Sequence, residues 1–212
     1  MTPSAFRPIV GDVPLSSPSA EPSIMGMPHT ADRWTAERVR ALPDDGNRYE
    51  LVSGELVVTP APTGRHQAAL SALFQRLAPF VRAAAPGAWL LWSPADLAFG
   101  EDELLQPDLF VALTREGRAP ERWADVVSLL LVVEVVSPRT ARYDRTLKRL
   151  RYQRAGVPEY WIVDLDARLV ERWRPADTRP EVLSGDLSWR PGGEDELVID
   201  LPAWFSEVCG PD

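Results

Sequence analysis

The sequence is almost without lysine. Of its 23 basic residues, 22 are arginine and Lys148 alone is lysine. Lysine is a compact charge whose pKa can be tuned, whereas arginine is a fixed planar fork, so a lysine kept against that bias asks for a chemical reason. Composition by itself reads it as a leftover, because structural ionisable residues are common. Cysteine is as scarce. Cys209 is the single one, which excludes an internal disulfide and fits a reducing cytoplasm. It stands near the chain end in Val-Cys-Gly-Pro-Asp, a poor place for a buried nucleophile. With only His29 and His66, a histidine-rich zinc site is excluded. No apolar run is long enough to span a membrane, and the most apolar stretch, Ser128 to Val136, contains Glu134. The N-terminus lacks a basic segment followed by an apolar one, so no signal peptide is expected. Dinucleotide, phosphate-loop, nucleophile-elbow and zincin motifs are all missing.

What is present suits one domain with a tail. The 212 residues can bury a real core without disulfide or metal staples. Residues 1–28 are rich in Pro, Ser and Thr and read as a disordered tail, with Met25 and Met27 at its end as alternative starts. Residues 29–212 read as a single domain. The net charge of −8 argues against a protein that coats nucleic acid generally. The charge is unevenly spread, however. Pro138 to Arg154 holds seven basic residues opposed only by Asp144, so this segment is +6 and the rest is −14. One basic element on an acidic body can touch a phosphate backbone. The alternative is a solvated arginine-rich helix face making surface ion pairs.

Periodicity places the elements. A short helix is expected over Asp32–Leu42, with Thr30 or Asp32 as N-cap and Pro43 ending it. Arg48 to Val58 reads as a hairpin around Ser53-Gly54. Gly64 to Ala85 is a long helical pattern with a kink or break near Pro79. Strands are expected at 88–92, 96–99 and 106–113. Leu129 to Val136 reads as a central strand buried on both faces. Arg139 to Ala155 reads as a helix stopped by Gly156. Strands at 160–163 and 169–173 flank a turn at Asp164–Arg168, followed by a strand at 197–199 and a helix at 203–208. The sum is a mixed α/β or α+β fold, a central sheet flanked by helices. Trp161, Trp173, Trp189 and Trp204 read as core, the alternative being the surface of a homodimer.

Three residues stand in positions that ask for chemistry. Glu134 lies in the strand Leu129–Val136, where a carboxylate must be paired, protonated or metal-bound. Asp108 follows Pro107 and enters an apolar strand. If the two strands are neighbours, the two acids meet on one edge, and hard oxygen ligands there suit Mg²⁺. The plainer readings are a core ion pair for Glu134 and a turn residue for Asp108. Lys148 shares a helix face with Asp144, four residues before it, and Arg151 lies near that face. From there it could reach the strand end at Glu134; a surface pair with Asp144 is the alternative.

A set of strings occurs in order: Tyr49-Glu-Leu-Val-Ser-Gly-Glu-Leu, Arg65-His-Gln, Gln106-Pro-Asp-Leu-Phe-Val, Val133-Glu-Val-Val-Ser-Pro-Arg-Thr, Asp144-x-x-x-Lys148 and Ala155-Gly-Val-Pro-Glu-Tyr-Trp-Ile-Val-Asp164. From about Trp34 to Trp173 the chain resembles the Uma-two family of endonucleases, a branch of the PD-(D/E)XK restriction-endonuclease-like superfamily. The resemblance implies a restriction-endonuclease-like fold and a metal, Mg²⁺ or Mn²⁺, held by Asp108, Glu134 and the carbonyl of Val135. The superfamily's usual lysine position, two residues after the acid, is here Val136, and Lys148 resembles the migrated lysine of some branches. Glu50 matches the Tyr-Glu-Leu motif as an accessory acid, with a hairpin ion pair to arginine as the alternative. His66 matches the family's histidine near the long helix, with a bond to the hairpin backbone as the alternative.

The expectation is therefore a cytoplasmic, metal-dependent nuclease acting on DNA. Asp108, Glu134, Lys148 and Glu50 would be its catalytic residues, and Arg139, Arg142, Arg145 and Arg151 would hold the flanking phosphates. Two rivals remain. One is a nucleic-acid-binding or regulatory module that kept the fold without the chemistry. The other is a hydrolase of a different substrate, using Glu134 and Asp108 as an acid/base pair.

Overall fold

A computed structural model describes residues 33–211. The tail at 1–28 and the N-cap candidates Thr30 and Asp32 lie outside the described residues. Helix α1 (Ala36–Arg40) is capped instead by Thr35, whose side chain accepts from the Arg38 amide. Strands β1 (Arg48–Val52) and β2 (Glu55–Thr59) form the expected hairpin. Its two turn residues, Ser53 and Gly54, have φ of 53° and 82°, the positive values that a two-residue type I′ connection requires.

Helix α2 (Gly64–Ala84) runs through Pro79 as one continuous helix, so of the kink or break expected there the break does not occur. A proline removes one backbone donor and opposes the helix by about 3 kcal/mol. Here the stripe of Ala69, Leu73, Leu77 and Val81 is buried on both sides of it, and that packing outweighs the local preference.

The main sheet has six strands: β3 (Ala88–Trp92), β6 (Leu109–Thr114), β7 (Val126–Val135), β8 (Glu159–Asp164), β9 (Leu169–Trp173) and β10 (Glu181–Leu183), in the order β10-β9-β8-β7-β6-β3. Only β7 and β8 run parallel. A parallel pair needs a crossover, supplied by the helical segment 141–154. That segment comprises α3 (Ala141–Tyr143), a π turn (Asp144–Lys148) and α4 (Arg149–Arg154). Gly156 follows it with φ of 71°. A second sheet, β2-β1-β5-β4, adds β4 (Leu97–Gly100) and β5 (Glu103–Leu105), and β11 (Asp186–Trp189) pairs with β12 (Leu197–Asp200) before helix α5 (Leu201–Cys209). The short strands β5, β10 and β11 were not expected; each has only three or four residues and carries too few apolar positions to show a period.

Strand alternation divides the main sheet into two buried faces. On one, Leu109, Leu131, Val133, Val135, Trp161 and Val163 pack with α2, α5, Trp189 and Trp204. On the other, Phe110, Val132, Tyr160 and Ile162 pack with Tyr152 and with Val52, Leu97 and Leu105 of the second sheet. All four of the late tryptophans are buried, so they are core. Glu134 lies on the second face with Val132, two residues along β7.

Candidate active site

The second face ends in a polar centre. Asp108 stands just before β6, and the register Leu109↔Val133 brings it beside the end of β7. Its Oδ1 accepts from Arg48 Nη1 at 2.7 Å. Its Oδ2 meets His66 Nε2 at 3.0 Å and accepts from the Val135 amide at 2.9 Å. Burial alone would raise the Asp108 carboxyl, but the His66 hydrogen bond and the Arg48 charge outweigh it and hold the pKa well below the usual carboxylate range. Period two places Arg48 and Glu50 on one face of β1, so both reach this centre. Glu50 Oε1 accepts from the Gln106 amide at 2.8 Å.

Lys148 closes the cluster from the crossover. Its Nζ lies 2.9 Å from Glu50 Oε2, 3.1 Å from Glu134 Oε1 and 3.1 Å from Asp144 Oδ1. The π turn turns Asp144 and Lys148 inward together; both are only 2% exposed. This rules out a surface i,i+4 pair. Burial would depress the lysine's pKa, yet Glu134, Glu50 and Asp144 together hold it well above its ordinary value. Burial pushes the Glu134 carboxyl well up; Lys148 opposes the rise, and Asp108, Asp144 and Glu50 add to it. Asp144 is raised by burial in the same way. Tyr152 donates to Glu134 Oε1 at 3.3 Å, and Tyr160 donates to the Asp144 carbonyl at 3.1 Å.

Glu50, His66, Asp108, Glu134, Val135, Asp144 and Lys148 thus line one cavity of about 50 Å³. Glu50, His66, Asp108, Glu134, Val135 and Lys148 were all expected here from the sequence. Arg48 was not, although its place two residues before Glu50 was a usable signal. Asp144 was expected only as the lysine's partner, and Tyr152 and Tyr160 carried no local signal.

The four arginines divide. Arg145 is held by Glu171 at 2.6 Å and Asp164 at 2.9 Å. Arg151 pairs with Glu103, donates to the Phe99 carbonyl at 2.7 Å and lies over the Phe99 ring. These two tie the crossover to the sheets, which corrects the expectation of four outward phosphate contacts. Arg139 and Arg142 are exposed and make no ion pair among the described residues.

Two features bear on what this centre could hold. Four buried carboxylates face two fixed cations, Lys148 and Arg48, so ionisation of all four leaves an excess of two negative charges. Asp144 Oδ1 is buried at ion-pair distance from Lys148 yet outside hydrogen-bond geometry. Continuing the β6–β7 register by two residues sets Pro107 opposite Val135. Proline has no N–H, so the ladder offers the Val135 carbonyl no donor there. Hard oxygens with excess negative charge are the chemistry of a divalent-cation site. As placed, the carboxylates point to cations, and among the described residues no group of three acidic, histidine or cysteine side chains is arranged to hold a metal ion.

Comparison with known proteins bears on the fold and the family. A crystal structure of a "putative nuclease belonging to DUF820" from Anabaena variabilis ATCC 29413 superposes with a TM-score of 0.67 at 22% identity, over 82% of this chain and 99% of that one. No curated protein matches the sequence. No helix among the described residues is long and apolar enough to cross a membrane. The model of the Uma2 family, described as "Putative restriction endonuclease", matches residues 36–199, and the chain belongs to that family.

Proposed function

We propose that this chain is a nuclease that hydrolyses phosphodiester bonds in DNA with the help of Mg²⁺ or Mn²⁺. The observation that carries the reading is the convergence of three buried carboxylates on one lysine at a strand end, with a fourth, Asp108, beside them. Structure alone has little use for such a set, because buried ion pairs contribute little net stability. Asp108, Glu134 and the Val135 carbonyl supply the cation's ligands. Bound there, the ion would polarise the scissile phosphate and lower the pKa of a bound water. Lys148, an ammonium with three donors and no acceptor, stabilises negative charge developing on phosphorus. Glu50 holds that ammonium beside Glu134 and fixes the Gln106 backbone next to Asp108. Arg48 and His66 fix the Asp108 carboxylate from the opposite side. Exposed Arg139 and Arg142 contact the flanking backbone.

Plasmid nicking tests the reading. Wild type nicks with Mg²⁺ or Mn²⁺ and stops with chelator, while folded Glu134→Gln and Lys148→Ala fall by about 100-fold or more. Equal cleavage by all three overturns it. So does a folded wild type that cleaves neither plasmid nor oligonucleotide DNA.

A further inference from the structure

A larger pocket of about 470 Å³ adjoins the carboxylate centre, and Arg48 and Pro62 line both. Arg48 is the partition, since its Nη1 donates both to Asp108 Oδ1 at 2.7 Å and to the Gln106 carbonyl at 3.3 Å. The pocket has the size of a small-molecule site. One wall is apolar and aromatic. Trp92, the last residue of edge strand β3, is 57% exposed, unusual for so large an apolar side chain. It is nonetheless held in place: its ring meets Phe74 edge-on at 5.0 Å and 84°. The amides of Asn47 and Gln67 are exposed along the rest, and Asp44 and Arg48 are its charged lining residues. Ser93 also lines it, and its hydroxyl is buried without a hydrogen-bond partner. A flat aromatic platform, amides along one side and an unsatisfied hydroxyl match a nucleobase, which has a π face and a polar edge.

We propose that this pocket receives an unpaired nucleobase of the strand being cut, close to the scissile phosphate. The inference rests on the nuclease reading and names its substrate class. The base stacks on Trp92, and its polar edge meets Asn47, Gln67 and Ser93. A base inside a duplex is covered on both faces and cannot enter, so the substrate is single-stranded or carries a flipped or bulged nucleotide. Trp92 here is a binding residue, and its exposure means that truncating it leaves the core intact.

The test uses the full chain and two oligonucleotides of one sequence. One is a perfect duplex, and the other carries a 2-aminopurine in a one-base bulge. Wild type cleaves the bulged substrate at least about 10-fold faster. In chelator, binding quenches the aminopurine. Trp92→Ala removes both the preference and the quenching, and Trp92→Phe keeps most of each. Equal cleavage of both substrates by wild type, unchanged in Trp92→Ala, overturns the pocket and leaves the nuclease reading standing. If wild type cleaves neither substrate, the nuclease reading fails and the chelator titration decides the pocket. Quenching that depends on Trp92 supports it, and absence of quenching overturns it.

Discussion

On one face of β7, Leu131, Val133 and Val135 enter an apolar core with Trp161, Trp189 and Leu77; on the other, Glu134 is as deeply buried among ionisable groups. The two faces belong to one strand and exclude water equally, yet burial acts on them with opposite sign. Each apolar side chain gains roughly 1.5–3 kcal/mol from leaving water. Glu134 loses hydration and sits near three other carboxylates, and Lys148 offsets only part of the loss. The apolar face pins the sheet so firmly that the polar face can hold a charged arrangement that does not stabilise the fold.

Substitutions can break or sharpen this contrast. The largest effect is expected on the apolar face, where Trp161→Ala lowers unfolding free energy by about 3–5 kcal/mol in urea titration. A loss under about 1 kcal/mol would mean that this face does not hold the sheet. Glu134→Gln should act oppositely. Lys148 keeps Glu50 and Asp144 as partners, so the variant should match or exceed wild-type stability, within about 1 kcal/mol, while cleavage falls. A destabilisation above about 3 kcal/mol would make Glu134 a structural residue.

The crossover extends the contrast from strand to helix. Arg145→Ala should destabilise by about 1 kcal/mol, because the pair is partly exposed, and should leave the salt dependence of DNA binding unchanged. This loss depends on pH. Burial would raise the Asp164 carboxyl, but the Ala167 amide and Arg145 outweigh it and hold it below 3.8. The clamp's contribution is therefore full above that value and is lost as pH falls through the lower folded value. Urea midpoints of wild type and variant should converge in strong acid. The smallest stability effect belongs to Arg142→Ala, within about 0.5 kcal/mol. It should instead reduce the slope of log K against log salt by about 1.

Much of this was legible in the sequence, and the reasons are local. Ser53-Gly54 announces its turn, and one acid inside an apolar strand announces Glu134. That Asp108 meets Glu134 was legible only on the condition that their strands are neighbours, which the register Leu109↔Val133 fulfils. What was hidden depends on distance in space. Nothing local says that Tyr152 reaches Glu134 or that Arg145 turns to Glu171 on β9. Spacing put Asp144 on the face of Lys148 but left a surface pair open, because it does not show the π turn in which both are buried. Pro79 left a break open because propensity was weighed without the packing around α2.

The lone lysine carries the central claim. An arginine at 148 would keep the positive charge but bring a planar fork into a cavity of about 50 Å³ shaped around a compact ammonium. The most direct measurement is single-turnover DNA cleavage by folded Lys148→Arg in Mg²⁺, beside wild type. A rate lower by about 100-fold or more is expected if Lys148 stabilises charge on phosphorus as a compact donor. Wild-type activity in that variant would contradict this role and make the lysine a leftover of composition.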